Sequence, residues 1–128
     1  MNNLTKKILV VEDDGLLRKV LSDRLRNMGY DVYQAEDGQE AMDLILDKIP
    51  DLILLDLLVP KIDGFTVLGK IRSYPDAKIA NILVLVLSNL WSDKDILRAK
   101  DLKIEGYFVK AQTDLEEVFK KIQDLLAT

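Results

Sequence analysis

Short apolar runs that end in acidic residues constrain the fold of this chain more than any other feature. Residues 8–11 are all aliphatic and run into Glu12 and Asp13, and residues 52–55 run in the same way into Asp56. Runs of this length between helical patterns are typical of buried parallel strands. If both strands are central, their carboxyl ends lie side by side at the sheet edge where open α/β sheets bind ligands. The sequence therefore predicts a crevice lined with carboxylates.

A cation belongs in such a crevice. Carboxylates at close range repel one another, and the repulsion is costly unless a positive charge lies among them. A hard divalent ion with oxygen ligands suits these groups best. We therefore expect a metal site where the first and third strands end.

Strand and helix patterns alternate along the whole chain. Apolar runs predict strands over residues 7–11, 31–35, 52–55, 82–87 and 106–109. Helical spacing predicts a helix that stops at Gly29, one over residues 38–48 capped by Asp37, one that ends before Pro75, one over residues 92–100, and a last one opened by a capping box from Thr113 to Glu116. Five βα units predict one α/β domain over residues 1–128, with a parallel sheet, helices on both faces and no output domain.

Composition excludes several classes of function. The chain has no cysteine and no histidine, so it offers no thiol nucleophile, no Cys-based zinc site and no phosphohistidine of its own. The net charge of −4 comes without an extended basic face, which argues against nucleic-acid binding. No apolar stretch is long enough to span a bilayer, and no signal peptide is recognisable, so we expect a cytoplasmic protein.

Four of the five predicted strands end in polar groups of different kinds. Glu12 and Asp13 follow the first strand, Asp56 the third, Ser88 the fourth and Lys110 the fifth. Carboxylates can hold Mg²⁺, a hydroxyl can donate to an anionic oxygen, and an ammonium can balance negative charge. This set suits the transfer of a phosphoryl group onto a carboxylate.

With these residues in place, the chain resembles a receiver domain of the two-component response regulators over essentially its whole length. The resemblance rests on five segments in the family's order and spacing: residues 8–14, 54–56, 60–64, 87–88 and 107–110. It implies a flavodoxin-like (βα)5 sandwich with a five-stranded parallel sheet in the order 2-1-3-4-5. It also implies a phosphorylation-dependent signalling switch rather than a conventional enzyme.

The resemblance assigns the phosphoacceptor and the metal ligands. Asp56 would take a phosphoryl group from a sensor histidine kinase or a histidine phosphotransfer protein. Asp13 would bind Mg²⁺ directly and Glu12 would bind it through water, with Asp56 and the backbone carbonyl of Leu58 completing the protein ligands. Asp14 is instead expected to cap the first helix.

The resemblance also assigns a switch. Lys110 would pair with Asp56 and later with the phosphoryl group, Ser88 would donate to a phosphoryl oxygen, and Tyr107 would be the aromatic switch residue. The surface made by helix four, strand five and helix five would change in response. Simpler interpretations stay open for two of these residues: Ser88 as a cap of the fourth helix, and Tyr107 as a half-buried core residue.

Three departures from the family pattern bear on function. Ala111 stands where proline is usual, so we predict a trans Lys110–Ala111 bond and a different path for the following loop, which bears on the reach of Lys110. Asn89 stands where a small residue is usual, and it would narrow the entrance or hydrogen-bond a phosphoryl oxygen. Leu58 and Leu90 flank the path of an attacking water and cannot orient it, which predicts slow loss of phosphate.

Two other classes of function lack residues that they need in this sequence, and one alternative stays open. A phosphohydrolase with an aspartyl nucleophile would need a second aspartate two residues after Asp56, where this chain has Leu58. A flavin binder would need a phosphate-binding loop after the first strand, and none is present. The alternative that stays open is a pseudo-receiver that binds proteins without phosphorylation. For a receiver we expect a separate downstream effector, no direct contact with nucleic acid or membrane, and a monomer or weak homodimer.

Overall fold

The computed structural model describes residues 5–127, and over that range five parallel strands form one sheet. The strands are β1 (Lys7–Val11), β2 (Asp31–Ala35), β3 (Leu52–Leu55), β4 (Leu83–Ser88) and β5 (Gly106–Val109). They pair in parallel in the order β2-β1-β3-β4-β5. The predicted fold class and strand order are confirmed.

Helices cover both faces of this sheet. They are α1 (Gly15–Asn27), α2 (Gly38–Lys48), α3 (Gly64–Arg72), α4 (Asp93–Asp101) and α5 (Leu115–Leu126). Ile8 and Val10 of β1 pack with α1 and α5, whereas Leu9 and Val11 pack on the other face with α2, α3 and α4. Because side chains alternate along a strand, a strand covered on both faces must be apolar at every position. This is the origin of the unbroken aliphatic runs.

Capping residues determine where most helices begin. Asp14 accepts hydrogen bonds from two amides of α1, and Asp37 accepts one from the Glu40 amide in α2, as predicted. The predicted cap at Thr113 is wrong, because the side chain of Asp114 is the one that accepts from the Glu116 amide, at 3.0 Å. Each of these bonds satisfies an amide that the first helical turn leaves without a partner.

Several boundaries differ from the predictions by a residue or more. β4 covers Leu83–Ser88 rather than residues 82–87, and α4 begins after Ser92, whose hydroxyl caps it. A single helical turn at Ala77–Ala80, capped by Asp76, lies between α3 and β4 and was not predicted. Four residues are too few to show a helical period, although an aspartate directly after Pro75 is a start signal.

The chain after β5 takes a path that the sequence alone did not reveal. Residues Lys110–Gln112 form a 3₁₀ turn before α5. No peptide bond from residue 5 to residue 127 is cis, so the Lys110–Ala111 bond is trans, as predicted. In the same range, no helix combines the length and the apolarity needed to cross a bilayer.

Candidate functional site

Three carboxylates meet at the carboxyl ends of β1 and β3. Val11 pairs with Leu55 in the sheet, so the next residues, Glu12 and Asp56, lie beside each other. Carboxylate oxygens of Glu12, Asp13 and Asp56 all lie within 4.8 Å of one another. Glu12 and Asp56 are only 2% and 4% exposed, while Asp13 is open to solvent. The predicted crevice therefore exists, with two buried acids and one accessible acid.

Lys110 joins the two buried acids. Its ammonium nitrogen lies 2.6 Å from Glu12 Oε1 and 2.7 Å from Asp56 Oδ2. Alanine at position 111 therefore does not prevent the lysine from reaching the site. Two carboxylates that share one ammonium form a buried charged network in which each group depends on the others.

Burial and pairing shift the proton affinities in this network. Burial raises the pKa of the Glu12 carboxyl, and the hydrogen bond from Lys110 only partly opposes that effect. Burial would favour neutral Lys110, but its hydrogen bonds to Asp56 and Glu12 outweigh burial and raise the pKa of its ammonium. Lys110 therefore stays charged at neutral pH, where it offsets part of the acidity around it.

The backbone after β3 holds the second oxygen of Asp56. The Leu58 amide donates to Asp56 Oδ1 at 3.0 Å, so both carboxylate oxygens have a protein donor. Gly64 lies so close to this segment that a Cβ there would be 2.5 Å from Leu57 Cα and 2.7 Å from the Asp56 carbonyl oxygen. Only glycine permits this approach, which fixes the loop that presents Asp56.

The backbone after β1 is held in a similar way. Glu12 Oε2 accepts from the Asp14 amide at 3.0 Å, and Arg18 Nη1 donates to the Glu12 carbonyl oxygen at 2.8 Å. Sequence reasoning did not identify Arg18, because an arginine one turn into a helix is ordinarily a solvated residue. Here its guanidinium fixes the segment that carries Glu12 and Asp13.

Ser88 and Tyr107 both contact the loop between β4 and α4. Ser88 is fully buried, and its Oγ accepts a weak hydrogen bond from the Leu90 amide at 3.4 Å. The Tyr107 hydroxyl donates to the Leu90 carbonyl oxygen at 2.6 Å. Ser88 closes β4 and does not cap α4, which begins at Ser92 instead. Among residues 5–127, no hydrogen bond uses the Ser88 hydroxyl as a donor.

Asn89, in the same loop, makes a contact that sequence reasoning missed. Its side-chain oxygen accepts from the Ala111 amide at 3.2 Å. The bond joins the loop after β4 to the 3₁₀ turn after β5, and its partners are 22 residues apart in the chain. No local pattern signals a contact at that separation.

The residues of this site fit a divalent cation. Three carboxylates and one ammonium leave a net charge of two negative units among Glu12, Asp13, Asp56 and Lys110, which one divalent ion would balance. The oxygen-only donor set is the kind that Mg²⁺ prefers. The carbonyl of Leu58 as a fourth ligand stays a prediction, since the structure records only the contact of its amide.

A second group of close carboxylates has a structural explanation. Oxygens of Glu36, Asp37 and Glu40 also lie within 4.8 Å of one another. The Asp37 side chain accepts from the Glu40 amide and so caps α2, and Glu40 Oε1 accepts from the Glu36 amide at 3.1 Å. These bonds resemble a capping box in which the glutamate accepts from the residue before the cap, so hydrogen bonds at the start of α2 account for the cluster.

With the fold and the acidic site established, the chain can be placed in a family. The sequence model of the family described as response regulator receiver domain matches residues 8–123. The chain belongs to this family, whose members are signalling domains rather than conventional enzymes.

Similar proteins of known sequence include transcriptional regulators. The chain is 38% identical over 120 residues to the DNA-binding dual master transcriptional regulator RpaA of Synechocystis, and this match covers 94% of the chain but 48% of that protein. It is 35% identical over 105 residues to the probable transcriptional regulator ycf27 of Guillardia theta, covering 82% of the chain and 39% of the relative. The chain thus spans about half the length of such relatives or less.

Solved structures of similar shape are receivers as well. The non-phosphorylated HemR receiver domain from Leptospira biflexa superposes with a TM-score of 0.86 at 27% identity, covering 97% of this chain and 96% of that one. Chemotaxis protein CheY4 of Vibrio cholerae gives a TM-score of 0.83 at 27% identity, covering 94% and 98%.

These relatives correct one expectation from the sequence. A separate downstream effector and no direct contact with nucleic acid were predicted, and this prediction is wrong. The matched relatives are about twice as long as the matching region, and the first is named as a DNA-binding regulator. The inference failed because it used the charge and the extent of the receiver alone, and neither carries information about DNA binding by an effector that the receiver serves.

Proposed function

We propose that this chain is a phosphorylation-dependent switch in which Asp56 accepts a phosphoryl group. The observation that carries the proposal is the buried network in which Lys110 contacts both Asp56 and Glu12, with Asp13 accessible beside them. The donor would be the phosphohistidine of a histidine kinase or of a histidine phosphotransfer protein. Residues 1–128 contain no histidine, so the phosphohistidine cannot form within this receiver.

The magnesium ion would be held by Glu12, Asp13 and Asp56, together with the carbonyl of Leu58. When bound, it neutralises charge on the transferring phosphoryl oxygens. Lys110 would move from its two carboxylates toward the phosphoryl oxygens, because these oxygens bring additional negative charge beside its ammonium. Positioning and neutralisation of charge do most of the work in such a transfer.

The chemical step is a displacement at phosphorus. An oxygen of Asp56 forms a bond to phosphorus while the phosphorus–nitrogen bond of the donor breaks, and the electron pair of that bond stays on the departing imidazole. Before transfer, the Leu58 amide and Lys110 hold the Asp56 carboxylate from two sides, which orients it for attack. No group of this chain needs to act as a general base, because Asp56 attacks as a carboxylate.

Ser88 and the loop that follows it would convert this step into a change of surface. The added charge and acceptor oxygens attract the Ser88 hydroxyl, and Ser88 lies at the start of the loop to α4. The Tyr107 hydroxyl donates a hydrogen bond to the Leu90 carbonyl oxygen in that loop, so a shift of the loop changes the environment of the Tyr107 ring. The outcome is a shift of population between two arrangements of the α4–β5–α5 surface.

Loss of the phosphoryl group should be slow. Leu58 is 51% exposed beside Asp56, and Leu90 is partly buried on the opposite loop. Neither side chain can hydrogen-bond a water in line for attack, so the water has no fixed position.

The names of the matched relatives support transcription as the process that this receiver controls. RpaA and the ycf27 proteins are named as transcriptional regulators. The receiver itself would respond to phosphorylation, and a DNA-binding effector would deliver the output.

Incubation with acetyl phosphate and Mg²⁺, followed by intact mass measurement, tests the proposal. The native chain should gain the mass of one phosphoryl group, and Asp56→Ala should gain none. Asp51→Ala is the matched control, because Asp51 is an exposed aspartate at the opposite end of β3. An unmodified native chain would contradict the proposal and favour the phosphorylation-independent pseudo-receiver, as would an adduct that survives Asp56→Ala.

A further inference from the structure

The two loops that carry Ser88 and Lys110 are joined by a single side chain. Asn89 follows Ser88 directly, and its side-chain oxygen accepts from the Ala111 amide at 3.2 Å. Ala111 follows Lys110 directly within the 3₁₀ turn Lys110–Gln112. The bond therefore connects the residue after Ser88 to the residue after Lys110. Ser88 and Lys110 are the two residues whose side chains would contact the phosphoryl oxygens.

The Ala111 amide needs a partner from outside its own turn. Amides in the first turn of a helix have no acceptor within that helix, and a capping side chain is the usual solution. The residue before this turn, Val109, makes no side-chain capping bond. The Asn89 oxygen takes that role from a different loop, so the start of the turn is held against β4 rather than against its own strand.

We propose that Asn89 is a positioning residue for phosphoryl transfer, which keeps the turn of Lys110 in register with the loop of Ser88. The inference rests on the proposed function, since it concerns the same reaction. The hydrogen bond between Asn89 and Ala111 limits how far the Lys110 turn can move relative to the loop that carries Ser88. Without it, the turn that begins at Lys110 has a wider range of positions relative to Asp56.

The expected size of the effect follows from the exposure of the bond. Asn89 and Ala111 are both exposed, so water competes for the donor and for the acceptor. A hydrogen bond of this kind changes the population of the held state by about two- to ten-fold. The rate of phosphorylation of Asp56 should fall by about the same factor when the bond is removed.

The experiment measures the rate at which acetyl phosphate modifies Asp56, with Mg²⁺ present, by intact mass. Asn89→Ala should react about two- to ten-fold more slowly than the native chain, while its circular dichroism spectrum stays that of the folded native chain. Asn27→Ala makes the same chemical change at an exposed site near the end of α1, and none of the hydrogen bonds recorded for residues 5–127 uses the Asn27 side chain. It should react at the native rate.

A double-mutant cycle separates positioning from other effects of Asn89. Proline has no amide hydrogen, so Ala111→Pro removes the donor and keeps the Asn89 side chain. Proline also changes the preferences of the peptide bond after Lys110, so the effect of Asn89→Ala is compared within each background. If Asn89 acts through this amide, Asn89→Ala should slow the reaction in the native background and change nothing in the Ala111→Pro background. Hydrogen exchange at the Ala111 amide gives a readout that does not depend on phosphorylation, and it should accelerate in Asn89→Ala.

Three results would overturn the proposal. Equal rates for Asn89→Ala and the native chain would remove the positioning role, and so would a faster reaction, which would mean that Asn89 only narrows the entrance. Unchanged exchange at Ala111 would remove the hydrogen bond itself. If the native chain takes up no phosphoryl group, both the proposed function and this inference fail. In the three results above the native chain is phosphorylated, so only the role of Asn89 fails.

Discussion

Replacement of Lys110 by methionine removes the cation that two buried acids share. Among residues 5–127, Lys110 is the only basic side chain in an ion pair with Glu12 or Asp56. Methionine keeps the apolar length of the side chain without its charge. We therefore expect a loss of stability that comes from electrostatics rather than from a cavity.

The size of the loss follows from the distances. Carboxylate oxygens of Glu12 and Asp56 lie within 4.8 Å, which at an effective dielectric constant of about 20 corresponds to about 3.5 kcal/mol of repulsion. Removal of one partner from a buried ion pair typically costs about 3–5 kcal/mol. Burial already raises the pKa of Glu12, so uptake of a proton there relieves part of the strain. We expect the free energy of unfolding to fall by about 2–4 kcal/mol in Mg²⁺-free buffer at neutral pH.

Urea denaturation followed by far-ultraviolet circular dichroism measures this change. Trp91 fluorescence is unsuitable, since its indole is 70% exposed in the folded chain. Lys120→Met on the exposed side of α5 is the matched control. Added Mg²⁺ should stabilise Lys110→Met more than the native chain, because the ion replaces a missing charge.

The pH dependence gives an independent check. The pKa of Lys110 is raised above its unfolded value of 10.5. Its contribution is therefore complete below pH 10.5 and is lost as the pH rises through the folded-state pKa. A variant within about 0.5 kcal/mol of the native chain, with the same response to Mg²⁺, would refute the electrostatic argument.

Three further changes have expected outcomes. Ser22 is fully buried, and its hydroxyl has no hydrogen-bond partner among residues 5–127, so Ser22→Ala should raise the free energy of unfolding by about 1 kcal/mol in urea denaturation; a loss of stability would mean that the hydroxyl has a partner. Asp63 caps α3, so Asp63→Ala should lower that free energy by about 1 kcal/mol at neutral pH. Burial would raise the pKa of Asp63, but hydrogen bonds from Thr66 outweigh it and lower the pKa below 3.8, so the gap between native and variant should close as the pH falls through that lowered value. Leu58→Asn should speed loss of phosphate about ten-fold after acetyl phosphate is removed, as followed by intact mass, because an amide can orient the attacking water; an equal or slower rate would contradict this.

Much of the fold was predictable because the central strands are covered by helices on both faces and must therefore be apolar at every position. Residues 52–55 are aliphatic at every position, and the structure buries all of them. Asp51 and Asp56 bound this run, and a slip would move a carboxylate into the core, so the position of Asp56 beside Glu12 followed as well. The caps at Asp14 and Asp37 were predictable because a helix start is a local signal.

Contacts between distant loops were not predictable in this way. The reach of Lys110 depends on the turn after β5, and no residue pattern announces a three-residue 3₁₀ turn. The bond between Asn89 and Ala111 depends on how two loops from different strands approach each other. Ser22 lies on the buried side of α1, where composition predicts an apolar residue, and its hydroxyl has no recorded partner.

A crystal structure of the native chain with Mg²⁺ and beryllofluoride examines the acidic crevice as a phosphoacceptor site. We expect beryllium bonded to an oxygen of Asp56, magnesium among Glu12, Asp13 and Asp56, and Lys110 and Ser88 turned toward the fluorine atoms. An unmodified Asp56, with Lys110 still bridging it to Glu12 in the presence of both ions, would contradict the assignment of this site.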